Sequence, residues 1–321
     1  MIVEELGPPE TMQLQHLPDP EAGPGQLHVR IRATGLNFPD ILMIAGKYQH
    51  KPPLPFAPGM EAAGEVIGVG DGVEGFAPGD RVIVGGKGGL YADQCVVPAE
   101  EAMRMPDHWS FEEGAAFKSA YMTAWVSLVE RGRLQPGEKV LIHGAAGGVG
   151  LAAVELAHAL GCEVFATVGS EAKRDAVLAK GADHAIDHRN VNFRDEVMRL
   201  TQDRGVDVAY DPVGGDFLFQ SIRSIAWGGR VLVIGFAGGT IPDVPANYAL
   251  LKSCSVIGVR AGEFVRRDRL AGARVWSGLL SLAEERKLNP SVYRTFPLED
   301  AVEALAVISS REVIGKVVLT V

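Results

Sequence analysis

Between Val140 and Gly161 the chain reads VLIHGAAGGVGLAAVELAHALG, two apolar runs separated by a point where side chains are removed. Gly144, Gly147 and Gly150 recur at spacings of three, with Gly148 added, a relative of G-x-G-x-x-G rather than a literal match. Val140 to His143 is short and rich in β-formers, as suits a strand buried on both faces. Val149, Ala153, Leu156 and Leu160 then follow at spacings of four, three and four and share one helical face. The segment reads strand, tight turn, helix. Such a turn lets a pyrophosphate approach the backbone, while the helix N-terminus offers unpaired N–H groups and a partial positive charge. A turn with no ligand can be spelled the same way, so the neighbouring segments decide.

The end of the next strand selects among dinucleotides. NAD sites carry an acid about twenty residues after the glycines, where it accepts hydrogen bonds from ribose hydroxyls and repels a 2′-phosphate. Counting nineteen from Gly150 reaches Gly169, followed by Ser170 and then EAKR, with no acid at that point. Ser170 can donate to a phosphate oxygen, Lys173 and Arg174 can neutralise its charge, and a helix starting near Glu171 adds its first N–H groups. NADPH is favoured. Glu171 turned back onto a ribose is the competing arrangement, and a solvated helix face is the plainer reading of Lys173 and above all of Arg174. His184 and His188 stand four apart in DHAIDH, which reads as strand, so about 13 Å separates them and they cannot share one ion. There is no H-E-x-x-H. His184 reads as a surface or packing residue; His188, just beyond the strand, could approach the adenosine phosphate.

Length and composition frame that turn. The 321 residues suffice for about two domains. With 40 acidic against 31 basic residues the net charge is -9, and no run of like charges forms a nucleic-acid arm or a membrane-binding face. Cys95, Cys162 and Cys254 are far apart without C-x-x-C pairing, so neither a disulfide framework nor a thiolate metal cluster is expected. MIVEELGPPETMQLQHLPDP has acids and prolines where a signal peptide needs a basic start, and no apolar stretch approaches the ~18 residues of a membrane span. These features predict a soluble cytoplasmic protein with no nucleic acid and no membrane among its partners.

From about residue 1 to 115 the text is rich in Gly and Pro with short alternating runs. LHVRIRA places Leu27, Val29, Ile31 and Ala33 on one face of a strand, and GEVIGVG, DRVIVG and YADQCVV follow between turn signals. From about 120 to 260, KVLIH, EVFATV, DHAID, VDVAY, RVLVIG and CSVIGV alternate with helical patterns, which predicts a doubly wound parallel sheet of six strands. A helix in LEDAVEALAVIS and a strand in KVVLTV close the chain. The glycine turn thus follows the first strand of the parallel array, where a dinucleotide is expected.

With these elements in place, GLNFPDILMIAGKY, PPLPFAPGMEAAGEV, AAFKSAYMTAW and HGAAGGVG together resemble the quinone oxidoreductase (zeta-crystallin-like) branch of the medium-chain dehydrogenase/reductase superfamily, across essentially the whole chain. The resemblance implies an α/β protein with a GroES-like β-rich catalytic domain over 1–118 and 262–321 and an NADPH-binding Rossmann domain over 119–261. It also implies a homodimer in which CSVIGV extends the sheet into the partner. Zinc-dependent members hold their metal with a Cys in the first motif and a His just before the Glu of the second. Here those positions are Asn37 and Met60, a weakly binding carboxamide and a thioether that prefers softer metals. The four-cysteine zinc lobe of those relatives is also missing, so no metal is expected.

That expectation shapes the reaction. Hydride addition to a simple ketone leaves a localised alkoxide that calls for a Lewis acid or a positioned proton donor. A quinone or the β-carbon of an enone spreads the charge into a phenolate or enolate, which ordinary hydrogen bonds stabilise. The resemblance places Asn37, Asp40 and Tyr48 on the substrate side. Tyr48 matches a tyrosine that related enoyl-thioester reductases use as proton donor or oxyanion partner, and an ordinary tyrosine is protonated at neutral pH; lining the pocket by apolar area alone is the alternative. Asn37 either fixes a cofactor or substrate group by its amide or serves a turn. Asp40 reads as structural, capping ILMIAG as a short helix. For the cofactor the resemblance carries over Thr123, Gly147, Gly148, Val149, Ser170, Lys173, Gly235, Phe236 and Ala237, with Arg311 of the R-x-x-x-G-K ending as a phosphate partner. Lys118 and Ala261 depart from the family pattern: Lys118 binds an anionic substrate or points to solvent, and Ala261 widens the substrate space.

The leading expectation is a zinc-independent NADPH-dependent reductase of quinones or α,β-unsaturated carbonyls. An enoyl-CoA or enoyl-thioester reductase is the enzymatic alternative, with Lys118 and nearby basic residues on a pantetheine phosphate. A non-catalytic NADPH-binding structural or RNA-binding protein is the alternative of another class, disfavoured for RNA by the negative charge.

Overall fold

The computed structural model describes residues 1–321. The chain forms two compact units, Met1–Ser119 with Pro290–Val321, and Ala120–Asn289.

In the first unit β1 (Ile2–Val3) and β2 (Met12–Gln13) make a small ribbon beside a larger sheet of β3 (Gln26–Gly35), β4 (Glu61–Val69), β5 (Arg81–Gly85), β6 (Gln94–Pro98) and β7 (Ala102–Arg104). Leu27, Val29, Ile31 and Ala33 of β3 all point into the core, as their alternation predicts. The β3–β4 register slips at His28/Val29 and again at Ile31/Ala33, and such irregularities let a long strand curl. Two short helices, α1 (Phe38–Ile44) and α2 (Phe111–Ala115), interrupt the strands. α2 starts at a reciprocal cap: Glu113 N donates to Ser110 Oγ (3.2 Å) while Ser110 N donates to Glu113 Oε2 (2.7 Å). The boundary between the units falls within α3 (Lys118–Trp125).

The second unit is built on six parallel strands, β8 (Lys139–Ile142), β9 (Glu163–Val168), β10 (His184–Asp187), β11 (Val206–Asp211), β12 (Ile225–Val233) and β13 (Ser255–Gly258). Their order, β10-β9-β8-β11-β12-β13, reverses direction between β8 and β11, the switch point where doubly wound sheets bind ligands. All six strands expected from the sequence are present. β12 begins earlier than RVLVIG suggests, because Ile225 pairs with Val206 before a register shift. α4 (Gly148–Ala159), α5 (Glu171–Ala179), α6 (Phe193–Leu200), α7 (Asp216–Ser224) and α8 (Ala246–Lys252) lie between strands, and Leu141, Phe165, Ile186, Val197, Leu218 and Ile222 belong to one buried cluster.

α9 (Ala261–Arg267) and α10 (Arg269–Glu284) group with this second unit, which takes in residues 262–289 that the family resemblance assigns to the catalytic domain. The physical reason is local. A Cβ on Gly278 of α10 would lie 2.2 Å from the Trp125 ring, so only glycine lets helix and indole meet. Buried Glu155 of α4 receives Asn289 N at 3.1 Å and Lys180 Nζ at 2.8 Å, and Tyr121 donates to the same carboxylate. The chain then returns to the first unit as β14 (Val292–Pro297), α11 (Ala301–Ser309) and β15 (Lys316–Thr320), completing the order β14-β15-β3-β4-β5-β7 with β6 on β3.

Candidate functional site

The glycine turn has the geometry its spacing implies. Gly144 takes φ 56°, a left-handed conformation that favours glycine, and Gly147 N donates to Gly144 O at 3.0 Å. Gly147 caps α4, with Leu151 N bonded to its carbonyl at 2.8 Å. A Cβ on Gly150 would fall 2.2 Å from Gly144 O, so the first turn of the helix lies directly on the loop. Gly148, Val149 and Gly150 supply the N–H groups for which a first helical turn has no acceptor of its own. Beneath the turn, Tyr210 OH of β11 donates to Val149 O at 3.3 Å.

His143, just before the turn, is fully buried and bonds Thr167 Oγ1 (3.0 Å) and Ser221 Oγ (2.7 Å). Ser221 Oγ gives its own proton to Phe217 O at 2.7 Å, which makes it the acceptor from Nε2–H and leaves Nδ1 to accept from Thr167. Burial, helped by His188, pushes the imidazole down to about 3, so it is neutral. The ring is a fixed strut that ties β8 and β9 to α7.

At the end of β9, Ser170 is the N-cap of α5 and its Oγ accepts from Lys173 N at 3.3 Å. His188 flanks this loop: a Cβ on Gly169 would meet its Nε2 at 3.3 Å and the Arg189 side chain at 3.8 Å. Burial, as the largest cause, lowers the His188 pKa, and its ring lies edge-on to Phe217 at 5.2 Å. Arg189 was not singled out from the sequence, although it directly follows His188; only the fold shows that the end of β10 comes beside Gly169. Arg174 is exposed beside Asp175, the solvated face that its position suggests. His184 bonds Glu163 at 3.0 Å and packs on Phe165 at 4.4 Å, a packing residue.

Two loops meet beyond β11 and β12. Asp211 Oδ1 accepts Val213 N (2.8 Å) and Gly214 N (2.9 Å), fastening a turn with Gly214 at φ 73° and Gly215 at φ 59°. Its Oδ2 is buried without a partner, and burial raises the carboxyl pKa. Ala237 N donates to Pro212 O (3.0 Å) and Gly238 N to Val213 O (2.9 Å), so Gly235, Phe236 and Ala237 are laid along that turn at the carboxyl edge of the sheet. The Phe236 ring covers Gly214, where a Cβ would lie 2.6 Å away. YDPVGG, an acid closing an apolar strand before a proline and two glycines, is the signal that could have flagged Asp211.

The first unit gathers a polar cluster that its sequence scatters. Lys316 Nζ, at the start of β15, donates to Leu36 O (2.6 Å), Asn37 Oδ1 (2.7 Å) and Glu61 Oε1 (2.8 Å). Asn37 Nδ2 donates to Glu61 Oε1 (2.9 Å) and Gly35 O (3.3 Å), while Glu61 Oε2 receives Ser119 N (2.7 Å). Lys316, Asn37 and Glu61 are all buried. Gly35 is obligatory here, since a Cβ would sit 2.1 Å from Ala115 O. Next to it, Asp40 in the first turn of α1 accepts Asn37 N (2.8 Å) and Tyr91 OH (3.1 Å) on Oδ2. The sequence reading of Asp40 as the cap of ILMIAG is shifted: α1 starts at Phe38 with Asn37 as its N-cap, and Asp40 serves that cap from the third helical position. Its Oδ1 is buried without a partner and burial pushes its pKa up to about 7. Glu61, Tyr91 and Lys316 were not read as members of a cluster, because 255 residues separate Glu61 from Lys316.

Of the remaining candidates, Tyr48 is half-buried against the cluster of Met43, Ile44, Phe56 and Tyr91, and Thr123 is half-buried on α3, where its carbonyl accepts from Ser127 Oγ at 2.6 Å. Arg311 follows α11 at φ 62° on an exposed turn. Lys118 is a correction: it does not point to solvent. Its side chain is buried over Gly85, and Nζ donates to Glu101 O (2.5 Å) and pairs with Glu101 Oε2 (3.3 Å). Burial holds its ammonium below the usual lysine range. Ala261 is buried at the start of α9.

A parallel sheet whose strand order reverses beside a glycine turn, in a chain that also carries a β-rich unit with a buried polar cluster, defines a nucleotide-binding oxidoreductase fold. Residues 148–281 match the family described as zinc-binding dehydrogenase, and residues 23–107 the alcohol dehydrogenase GroES-like domain. The mouse protein named quinone oxidoreductase-like protein 2 is 37% identical over 317 residues, covering 98% of this chain and 90% of that one. Escherichia coli quinone oxidoreductase, solved as an NADPH complex, superposes with a TM-score of 0.90 at 30% identity, covering 100% of this chain and 99% of that one. The CurK enoyl reductase gives 0.90 at 28%, covering 99% and 97%. The chain belongs to the quinone oxidoreductase-like branch of the medium-chain dehydrogenase/reductase superfamily.

The residues present do not fit the zinc that the first family description implies. Asn37 has committed both amide hydrogens, and an ammonium already lies 2.7 Å from its oxygen. Met60 offers a thioether, and no group of three or more His, Cys, Asp or Glu side chains is placed to hold a metal.

Proposed function

We propose that the chain is an NADPH-dependent, zinc-independent reductase that delivers a hydride to a quinone or to the β-carbon of an α,β-unsaturated carbonyl. The observation that carries this reading is the buried Lys316–Asn37–Glu61 cluster, which fills with an ion pair the place where zinc-dependent relatives carry metal ligands. A donor set of that kind gives no Lewis acid for a localised alkoxide, which favours an acceptor that disperses the electron pair into a phenolate or enolate that a hydrogen bond can stabilise.

NADPH supplies the hydride; the chain binds and orients. Gly147, Gly148 and Val149 present backbone N–H groups to the pyrophosphate at the α4 N-terminus. Ser170 and Lys173 hold the 2′-phosphate, joined by Arg189 and by the His188 ring against Gly169. Thr123, Gly235, Phe236 and Ala237 orient the nicotinamide end, the last three on the loop braced by Asp211. Tyr48 donates a hydrogen bond to the oxygen that gains charge, and Asn37 Oδ1 keeps one lone pair for the hydroxyl that forms on the reduced acceptor. Arg311 is assigned to a phosphate. The NADPH complex of the E. coli relative supports the cofactor choice. The β13 edge supports a homodimer: this strand pairs only with β12, and Val256, Leu250 and Leu251 beside it are 45%, 77% and 65% exposed.

The enoyl-thioester alternative is supported by the CurK neighbour, but the burial of Lys118 against Glu101 removes the cation assigned to the pantetheine phosphate. NADPH consumption followed at 340 nm with benzoquinone, an aliphatic enone and crotonyl-CoA separates the readings. Turnover is expected with the first two, and Tyr48→Phe should lower the enone rate. Selective turnover of crotonyl-CoA would replace the proposal with the thioester reading, and tight NADPH binding with no turnover would favour a non-catalytic protein.

A further inference from the structure

We propose that Lys316 is a positioning residue of the reductase, acting through Asn37 on the rate of hydride transfer and not on cofactor binding. The inference rests on the reading above. Its ground is the valence count of the cluster. An ammonium has three N–H bonds, and Lys316 gives all three to buried acceptors: Leu36 O at 2.6 Å, Asn37 Oδ1 at 2.7 Å and Glu61 Oε1 at 2.8 Å. Glu61 returns the charge and spends its second oxygen on Ser119 N at 2.7 Å. Asn37 closes the ring with Nδ2 on the same Glu61 oxygen at 2.9 Å.

Three consequences follow. The Asn37 carboxamide cannot rotate without breaking bonds at both ends, so its flip state and direction are set by Lys316 and Glu61. The amino end of α1 is held as well, because Lys316 also binds the carbonyl of Leu36 and Asp40 binds Asn37 N. The first turn of α3 is tied to the same carboxylate through Ser119. β15, the β3–α1 junction, β4 and α3 therefore converge on one buried ion pair, near Tyr91 and the unpartnered Asp40 oxygen. A pair serving stability alone could be replaced by apolar groups without effect on rate. A pair that aims Asn37 cannot.

The test uses the full-length protein, with NADPH binding measured by fluorescence and kcat measured with benzoquinone. Lys316→Met and Asn37→Ala should each lower kcat by about tenfold or more while the NADPH Kd stays within about twofold. Combined, Asn37→Ala with Lys316→Met should be no slower than the slower single variant, because both remove one device. Lys316→Met alone leaves a buried carboxylate unpaired and can fail to fold, so Lys316→Met is also paired with Glu61→Gln, which restores neutrality. That protein should fold and remain slow. Wild-type kcat in the neutral pair, or multiplicative losses in the combined variant, would overturn the inference. Absence of turnover in the wild type would instead remove the reductase reading, and this inference with it.

Discussion

Asp40 shows how one side chain can be both legible and surprising. Its place before the apolar run ILMIAG marks it as a helix cap, and it does serve the start of that helix, though from the third position, with Asn37 N bonded to its carboxylate. What the sequence could not convey is complete burial, because that depends on Glu61 of β4, Lys316 of β15 and Tyr91 of the loop before β6 arriving from distant parts of the chain. With its pKa raised to about 7, the native protein holds a proton that the unfolded chain releases near the ordinary value of 3.8. Stability from this group is therefore intact below about pH 4 and falls as pH rises towards 7, by on the order of 4 kcal/mol. His143, pushed down to about 3, has the opposite slope, losing stability as pH falls below about 6.5, and does so equally in an Asp40 variant. In chemical denaturation, Asp40→Asn should accordingly gain on the wild type steadily between pH 4 and 7. A difference that does not vary with pH would refute the buried, proton-holding carboxyl.

Among the elements, the strand–turn–helix around Gly147 was readable because every constraint on it is local: Gly144 needs positive φ, and Gly150 needs the absence of a Cβ 2.2 Å from Gly144 O. The six parallel strands were readable for the same reason, as apolar runs punctuated by turns. The grouping of α9 and α10 was not, since it depends on Gly278 meeting the Trp125 ring and on Asn289 reaching Glu155, contacts that no periodicity encodes. β13 is the element with the clearest outward consequence. An edge strand of four residues with exposed Val256 is expected to add to its counterpart in a second copy. Light scattering should give the mass of two chains, and Val256→Lys should give one. A wild-type monomer at micromolar concentration would contradict that role.

For the whole molecule, the family, the fold, the cofactor turn and, from Asn37 and Met60, the expectation of a metal-free reaction could be reached from the text alone, while the buried cluster that holds Asn37 is visible only after folding. Lys316 and Glu61 each stand in motifs that the sequence displays, GK and GMEAAGE, yet nothing in either announces that one neutralises the other inside the protein. With Asn37 and Met60 at the positions of the relatives' zinc ligands, that ion pair supports the proposed reaction, in which the acceptor, and not a metal, absorbs the electron pair. The most direct measurement follows the hydrogen itself. With NADPH deuterated at the transferable C4 position and an aliphatic enone, mass spectrometry and NMR of the product should find one deuterium on the β-carbon of a saturated ketone. Deuterium on the carbonyl carbon of an allylic alcohol would contradict the account.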